Sequence, residues 1–229
     1  MKVVLPAVLF GLFSLTAIAQ SGPPALCKRC LFYGGDFDEG DPNSYGLLNE
    51  NTLVYPNTST YGAVRVTEGH EILAEGFLFQ IDFESDVKLD PNGVTWEVRT
   101  GVREGNGGTV IDSGRAHVQM QPTGRIVNGP EYTVAVTLRT PIDLPADTYW
   151  FNITPPCVNE RDSICKTNEY AVSNTTQQVN SLRGELQPVG EIFVNSEYFG
   201  YDWANWCSLR LPQQACATLS FGVMGKVIF

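Results

Sequence analysis

The chain is 229 residues long and carries 15 Lys and Arg against 25 Asp and Glu, a formal net charge of −10. Its carboxylates are scattered, and the acidic balance argues against nucleic acid and anionic lipid as partners, since both need a basic face that releases their counterions. Only His70 and His117 are available for imidazole chemistry, which narrows acid–base and metal catalysis.

Met1-Lys2 is followed by an apolar run from Val3 to Ala19, with small residues at Ala17 and Ala19 before Gln20. This is the pattern of a secretory signal peptide, so residues 1–19 are expected to be removed and residues 20–229 to be exported. The run is too short to span a bilayer and no second run reaches about 18 to 20 apolar residues, so no transmembrane segment is expected. The remaining length, about 210 residues, suits a single all-β domain.

Cys27-Lys28-Arg29-Cys30 comes next. A redox site of this spacing opens a helix after a strand, whereas the following Leu31-Phe32-Tyr33 continues as strand, and a zinc ribbon needs a second Cys-x-x-Cys. A structural disulfide is the better reading. In an exported chain the six cysteines form a disulfide framework; 15 pairings are open to them. The local set, Cys27 with Cys30, Cys157 with Cys165 and Cys207 with Cys216, is preferred.

Asp36, Asp38 and Asp41 follow in an acidic run with Gly40, Pro42 and Asn43. The EF-hand pattern fails, because Gly40 stands fifth from Asp36 and Leu47 stands where a bidentate acid is required. An irregular calcium loop is the minority reading, a solvated turn the main one. No other cofactor is suggested.

Period-two alternation then dominates. Phe77, Phe79, Ile81 and Phe83 alternate with Leu78, Gln80 and Asp82; Val94, Trp96 and Val98 with Thr95, Glu97 and Arg99; Tyr132, Val134, Val136 and Leu138 with Thr133, Ala135, Thr137 and Arg139. Tyr149, Phe151 and Ile153, then Leu219, Phe221 and Val223, repeat the pattern. Each is expected to be a strand with one apolar and one water-facing side. Turn clusters at 90–93, 105–108, 122–125, 128–130 and 144–147 separate them. The stretch from Asn174 to Pro188 loses alternation and is expected to be a surface loop. Together these features predict an antiparallel β-sandwich, jelly-roll-like, with disulfide-pinned loops.

His70 is expected in a turn before the Phe77 strand and His117 on a water-facing position. Neither completes a His-Glu-x-x-His zinc pattern, and no Gly-x-Ser-x-Gly elbow is present. A glycosidase needs only two carboxylates, but no pair stands out. The best binding candidate is "SEYFGYDWANWC", in which Tyr198, Tyr201, Trp203 and Trp206 can stack on sugar faces while Asp202 and Asn205 bond to hydroxyls. The competing reading buries these rings beneath the Cys207 loop. Sequons stand at Asn57, Asn152 and Asn174, relevant if the source is eukaryotic; Asn152 is expected on the water-facing side of its strand.

The blocks "LFYGGDFDEGDPNSYGLLNEN", "VTWEVRTGVREGNGGTVIDSG", "EYTVAVTL", "LPADTYWFNITP" and "SEYFGYDWANWC" occur in an order that resembles a group of exported, mostly bacterial all-β proteins of unassigned function. Several of those carry a C-terminal sorting anchor. The resemblance implies an extracellular sandwich and supplies no catalytic residues; the end at Phe229, without a sorting motif, predicts release from the cell.

The leading expectation is therefore a secreted, non-catalytic sandwich that binds glycan or a cell-surface or matrix component. The rivals are a secreted polysaccharide hydrolase with a carboxylate pair and a structural matrix component.

Overall fold

In a computed structural model the described residues are 25–27, 29–37, 46–48, 57–83, 94–127, 129–154, 170–175, 182–183, 185–209 and 218–228. The alternating segments form strands: β1 (Cys30–Tyr33), β2 (Gly46–Leu48), β3 (Ser59–Val66), β4 (Ile72–Phe83), β5 (Val94–Thr100), β6 (Thr109–Ala116), β7 (Val118–Ile126) and β8 (Pro130–Leu144). They continue as β9 (Asp147–Thr154), β10 (Tyr170–Thr175), β11 (Leu182–Arg183), β12 (Leu186–Ser196), β13 (Tyr201–Asn205), β14 (Thr218–Leu219) and β15 (Phe221–Val227). Among the described residues the only helical turns are short 3-10 segments, Ala25–Cys27 and Trp206–Ser208, and no helix is long and apolar enough to cross a membrane.

The pairings, all antiparallel, build two sheets. Among the described residues one holds nine strands, with β11-β1-β15-β4-β10-β14 in a row, β2 on β10, and β8 joining β4 to β7; the other runs β13-β12-β3-β9-β5-β6. Residues 144–147, a predicted turn, carry the chain from β8 in the first sheet to β9 in the second. The sheets pack face to face through rings: Phe77 of β4 lies 5.8 Å from Trp96 of β5 and 5.7 Å from Phe151 of β9, measured between centroids. Phe221 of β15 stacks on Phe79 at 5.4 Å and reaches Phe151 at 6.2 Å. Aromatic contacts of this kind add to an already large burial term. Gly62 makes the approach possible, since a Cβ there would stand 2.8 Å from the Phe221 ring.

The sandwich is as the sequence predicts, but several strands are buried on both sides. In β4 the expected water-facing residues Leu78, Gln80 and Asp82 are as buried as Phe77 and Phe79. The reason is a second layer. Leu26, Cys27, Cys30, Tyr33 and Met224 close over Leu78 and Ala135, and beside them Tyr33 accepts a hydrogen bond from Gln80 Nε2 at 2.8 Å. Thr133 Oγ1 donates to Gln80 Oε1 at 2.8 Å. The outward face of β9 is also covered: Trp150 packs edge-on against Phe193 of β12 at 4.9 Å, and Asn152 is only 4% exposed. Asn152 stands on the side turned away from the core, but it is buried there with its Nδ2 bonded to Thr60 O, so its sequon is not an accessible glycan acceptor.

Two predicted loops are partly strand. Residues 122–125 lie inside β7 at an irregularity of its pairing with β8, with Gly124 at φ +83° absorbing the kink. The expected loop from Asn174 to Pro188 begins within β10 and ends within β12, where Leu186 is buried against the core opposite Val66. A buried Leu in a polar stretch carries no local signal of its own.

Cys27 and Cys30 are bonded, with Cα atoms 5.0 Å apart, so the N-terminal segment is clipped above Leu78. Cys207 is also disulfide-bonded; its partner and the other cysteines, Cys157, Cys165 and Cys216, lie outside the described residues.

Candidate functional site

Strand register places polar side chains in rows across the six-stranded sheet. Residues opposite one another in a ladder point to the same face. Ser113 of β6 pairs with Glu97 of β5, which pairs with Asn152 of β9; Arg115, Thr95 and Thr154 form the next row. Asn195 of β12 faces Ser59 of β3, and Ser196 faces Tyr201 of β13. On the side of the sheet away from the main core, these rows floor an open groove of about 970 Å3 that reaches from Arg115 on one edge strand to Asp202 on the other. The volume is in the range of ligand sites.

One end of the floor is held by a rigid ladder. Tyr61 of β3 donates its phenol proton to Glu97 Oε1 at 2.8 Å, and the Arg99 guanidinium forms a bidentate bridge to the same carboxylate through Nε and Nη2. Arg99 Nη1 donates to Gly107 O at 2.8 Å, and the guanidinium plane covers Trp203 at 4.7 Å from its ring centroid. Trp203 in turn packs on Tyr61 at 4.9 Å. Burial, reinforced by the neighbouring Glu97 charge, holds the Tyr61 phenol well above its ordinary pKa. Nearby, Asn152 Nδ2 donates to Thr60 O at 2.8 Å and its Oδ1 accepts from Thr154 Oγ1 at 2.9 Å. The floor is thus fixed before any ligand arrives.

The predicted aromatic segment is divided by the fold. Tyr201 and Asp202 line the groove. Tyr198 and Phe199 are exposed on the adjoining turn, 4.9 Å apart and edge-on, and Phe199 stacks nearly parallel on Tyr201 at 5.8 Å. Trp203 belongs to the ladder. Trp206 is half-buried and packs against the main core, as the half-buried Tyr201 also does. Asn205 caps the turn that follows, its Oδ1 accepting from Cys207 N at 2.9 Å.

The other predicted positions lie elsewhere. Asp36 is 7% exposed, accepts the Tyr33 hydroxyl at 2.5 Å and pairs with Arg125 at 3.0 Å. Asp36 is thus engaged in a phenol bond and an ion pair, while Asp38 and Asp41 lie outside the described residues. Among the described residues no group of three His, Cys, Asp or Glu is gathered as metal ligands. His70 sits in the turn before β4, its backbone N bonded to Thr67 O at 3.1 Å, and His117 is exposed. Asn57 is exposed at φ +51° and donates to Glu197 Oε2 at 2.9 Å, at the groove rim; Asn174 lies on β10.

Sequence reasoning missed Tyr61, Thr95, Glu97, Ser113, Asn195 and Glu197. All but Glu197, which stands in the turn after β12, are ordinary polar residues on the outward half of a strand, and the signal that joins those is cross-strand register. No protein-family model matches the chain, and no curated protein matches it.

Proposed function

We propose that the protein acts outside the cell as a non-catalytic module whose groove binds carbohydrate. The observation that carries this reading is the pre-set floor of hydroxyl and amide side chains, Thr95, Ser113, Asn152, Thr154 and Asn195, bordered by the Tyr201 ring. Sugars present hydroxyls that exchange donors and acceptors with such groups, and apolar ring faces that lie against aromatic surfaces. The signal-like N-terminus and the bonded cysteines support export.

The groove also holds carboxylates, which is the observation favouring a hydrolase. Glu97 offers little as a proton donor, since both its oxygens accept bonds from Arg99 and Tyr61. Binding to an array of glycans that is lost in Tyr201→Ala and Thr95→Ala, with no reducing sugar released, is the expected result. Release of reducing sugar that stops on replacing Glu197 or Asp202 would install the hydrolase instead.

A further inference from the structure

We infer that the groove takes an uncharged oligosaccharide laid across the strands, several sugar units long, and discriminates against acidic polysaccharides. This rests on the carbohydrate-binding reading and adds ligand charge, direction and length to it.

Direction and length come from the sheet. The lining reaches every strand from β6 to β13, and five inter-strand spacings amount to about 24 Å. A monosaccharide would engage one row of side chains; only an extended chain meets the Ser113–Glu97–Asn152 row at one end and Tyr201 at the other. The groove is open, so chain ends need not be accommodated.

Charge comes from what the lining offers. Glu97, Glu197 and Asp202 border the groove, against Arg115 as the one cation among its described lining residues. Arg99, the guanidinium beside the Glu97 end of the floor, is consumed: three of its nitrogens are bonded to Glu97 and to Gly107 O, and its flat face is covered by Trp203. A ligand carboxylate or sulfate would meet repulsion from Glu197 and Asp202, with the exposed Arg115 at one edge as its single guanidinium partner among the described lining residues. The chain's net charge of −10 acts in the same direction at long range. Neutral hydroxyls suffer no such penalty and find acceptors in the same carboxylates.

The test uses the full mature chain in affinity electrophoresis, at low ionic strength so that repulsion is unscreened. Mixed-linkage β-glucan, mannan and xylan are compared with alginate and polygalacturonate. Retardation by at least one neutral polymer and by neither acidic polymer is expected. Asp202→Asn, at an exposed site, should raise retention on an acidic polymer relative to wild type. Oligosaccharides of the retarding polymer should bind more tightly with length, at least tenfold from disaccharide to pentamer. Binding of an acidic polymer as strong as any neutral one, or a monosaccharide that binds as well as the pentamer, overturns this inference and leaves carbohydrate binding standing. No retardation by any polymer overturns the carbohydrate reading itself.

Discussion

Tyr61 and Glu97 are joined at 2.8 Å although their strands, β3 and β5, are not neighbours, β9 lying between them. The bond therefore staples three strands at the groove floor, and the charged acceptor makes it stronger than an ordinary phenol contact. Tyr61→Phe keeps the ring against Trp203 and removes only the hydroxyl. A loss of about 1.5–3 kcal/mol in urea unfolding is expected, with an unchanged m-value because the exposed surface does not alter. A loss below about 0.5 kcal/mol would mean that water replaces the phenol at no cost.

Alkaline pH should expose two buried phenols. Burial, followed by Asp36 for Tyr33 and by Glu97 for Tyr61, raises both pKa values in the folded protein, while an unfolded tyrosine ionises near about pH 10. A raised folded value means that the native state holds the proton more tightly. The associated stability is complete below the unfolded value and is lost as pH climbs from there toward the folded one. The melting temperature should fall more steeply above about pH 10, and Tyr33→Phe should shallow that fall. Ultraviolet difference spectra should show these phenolates forming only with unfolding; ionisation in the native state would contradict the assignment.

Arg125 holds Asp36 at 3.0 Å and Glu131 Oε2 at 2.6 Å, and Glu131 is fully buried. Arg125→Met would strand two carboxylates inside the protein, at a cost of about 3–5 kcal/mol by chemical denaturation. Adding Glu131→Gln should recover part of that loss, since one of the two buried negative charges is removed. A strictly additive double variant would show that the pair is not coupled.

At Gly62 the opposing sheet leaves no room. A Cβ would lie 2.8 Å from the Phe221 ring and 3.1 Å from a Leu219 methyl, so Gly62→Ala should cost about 1–3 kcal/mol through overpacking. Combining it with Phe221→Leu should cost less than the sum of the two. The same thermal or urea melts decide both points.

Which parts were legible in the sequence follows from the range of the forces involved. Period two identified β4, β5, β8, β9 and β15 because alternation is a local property of the chain. It assigned Leu78, Gln80 and Asn152 to water because their burial depends on distant partners: the clipped segment around Cys27 and Tyr33 over β4, and for Asn152 the backbone of β3 at Thr60. The aromatic segment was located correctly as a cluster, yet its residues diverge. Trp203 takes φ +48°, a left-handed conformation rare for a bulky side chain, and so breaks the alternation that would have kept the rings on one face. The ion pair of Asp36 was illegible for a similar reason, since it meets Arg125 only across 89 residues of chain.

Trp96 gives the groove a means of being observed. Its indole lies against Gly114, where a Cβ would be 3.1 Å away, and on its other side it meets Phe77 at the centre of the sandwich. The ring thus lies in the hydrophobic interior directly beneath the strands that floor the groove. Occupancy of the groove should change the emission of this tryptophan without any attached dye, and saturation at one hundred times the dissociation constant should add about 2.7 kcal/mol to the folded state. A polysaccharide screen on this protein can accordingly be read as fluorescence and as a rise in melting temperature in the same tube.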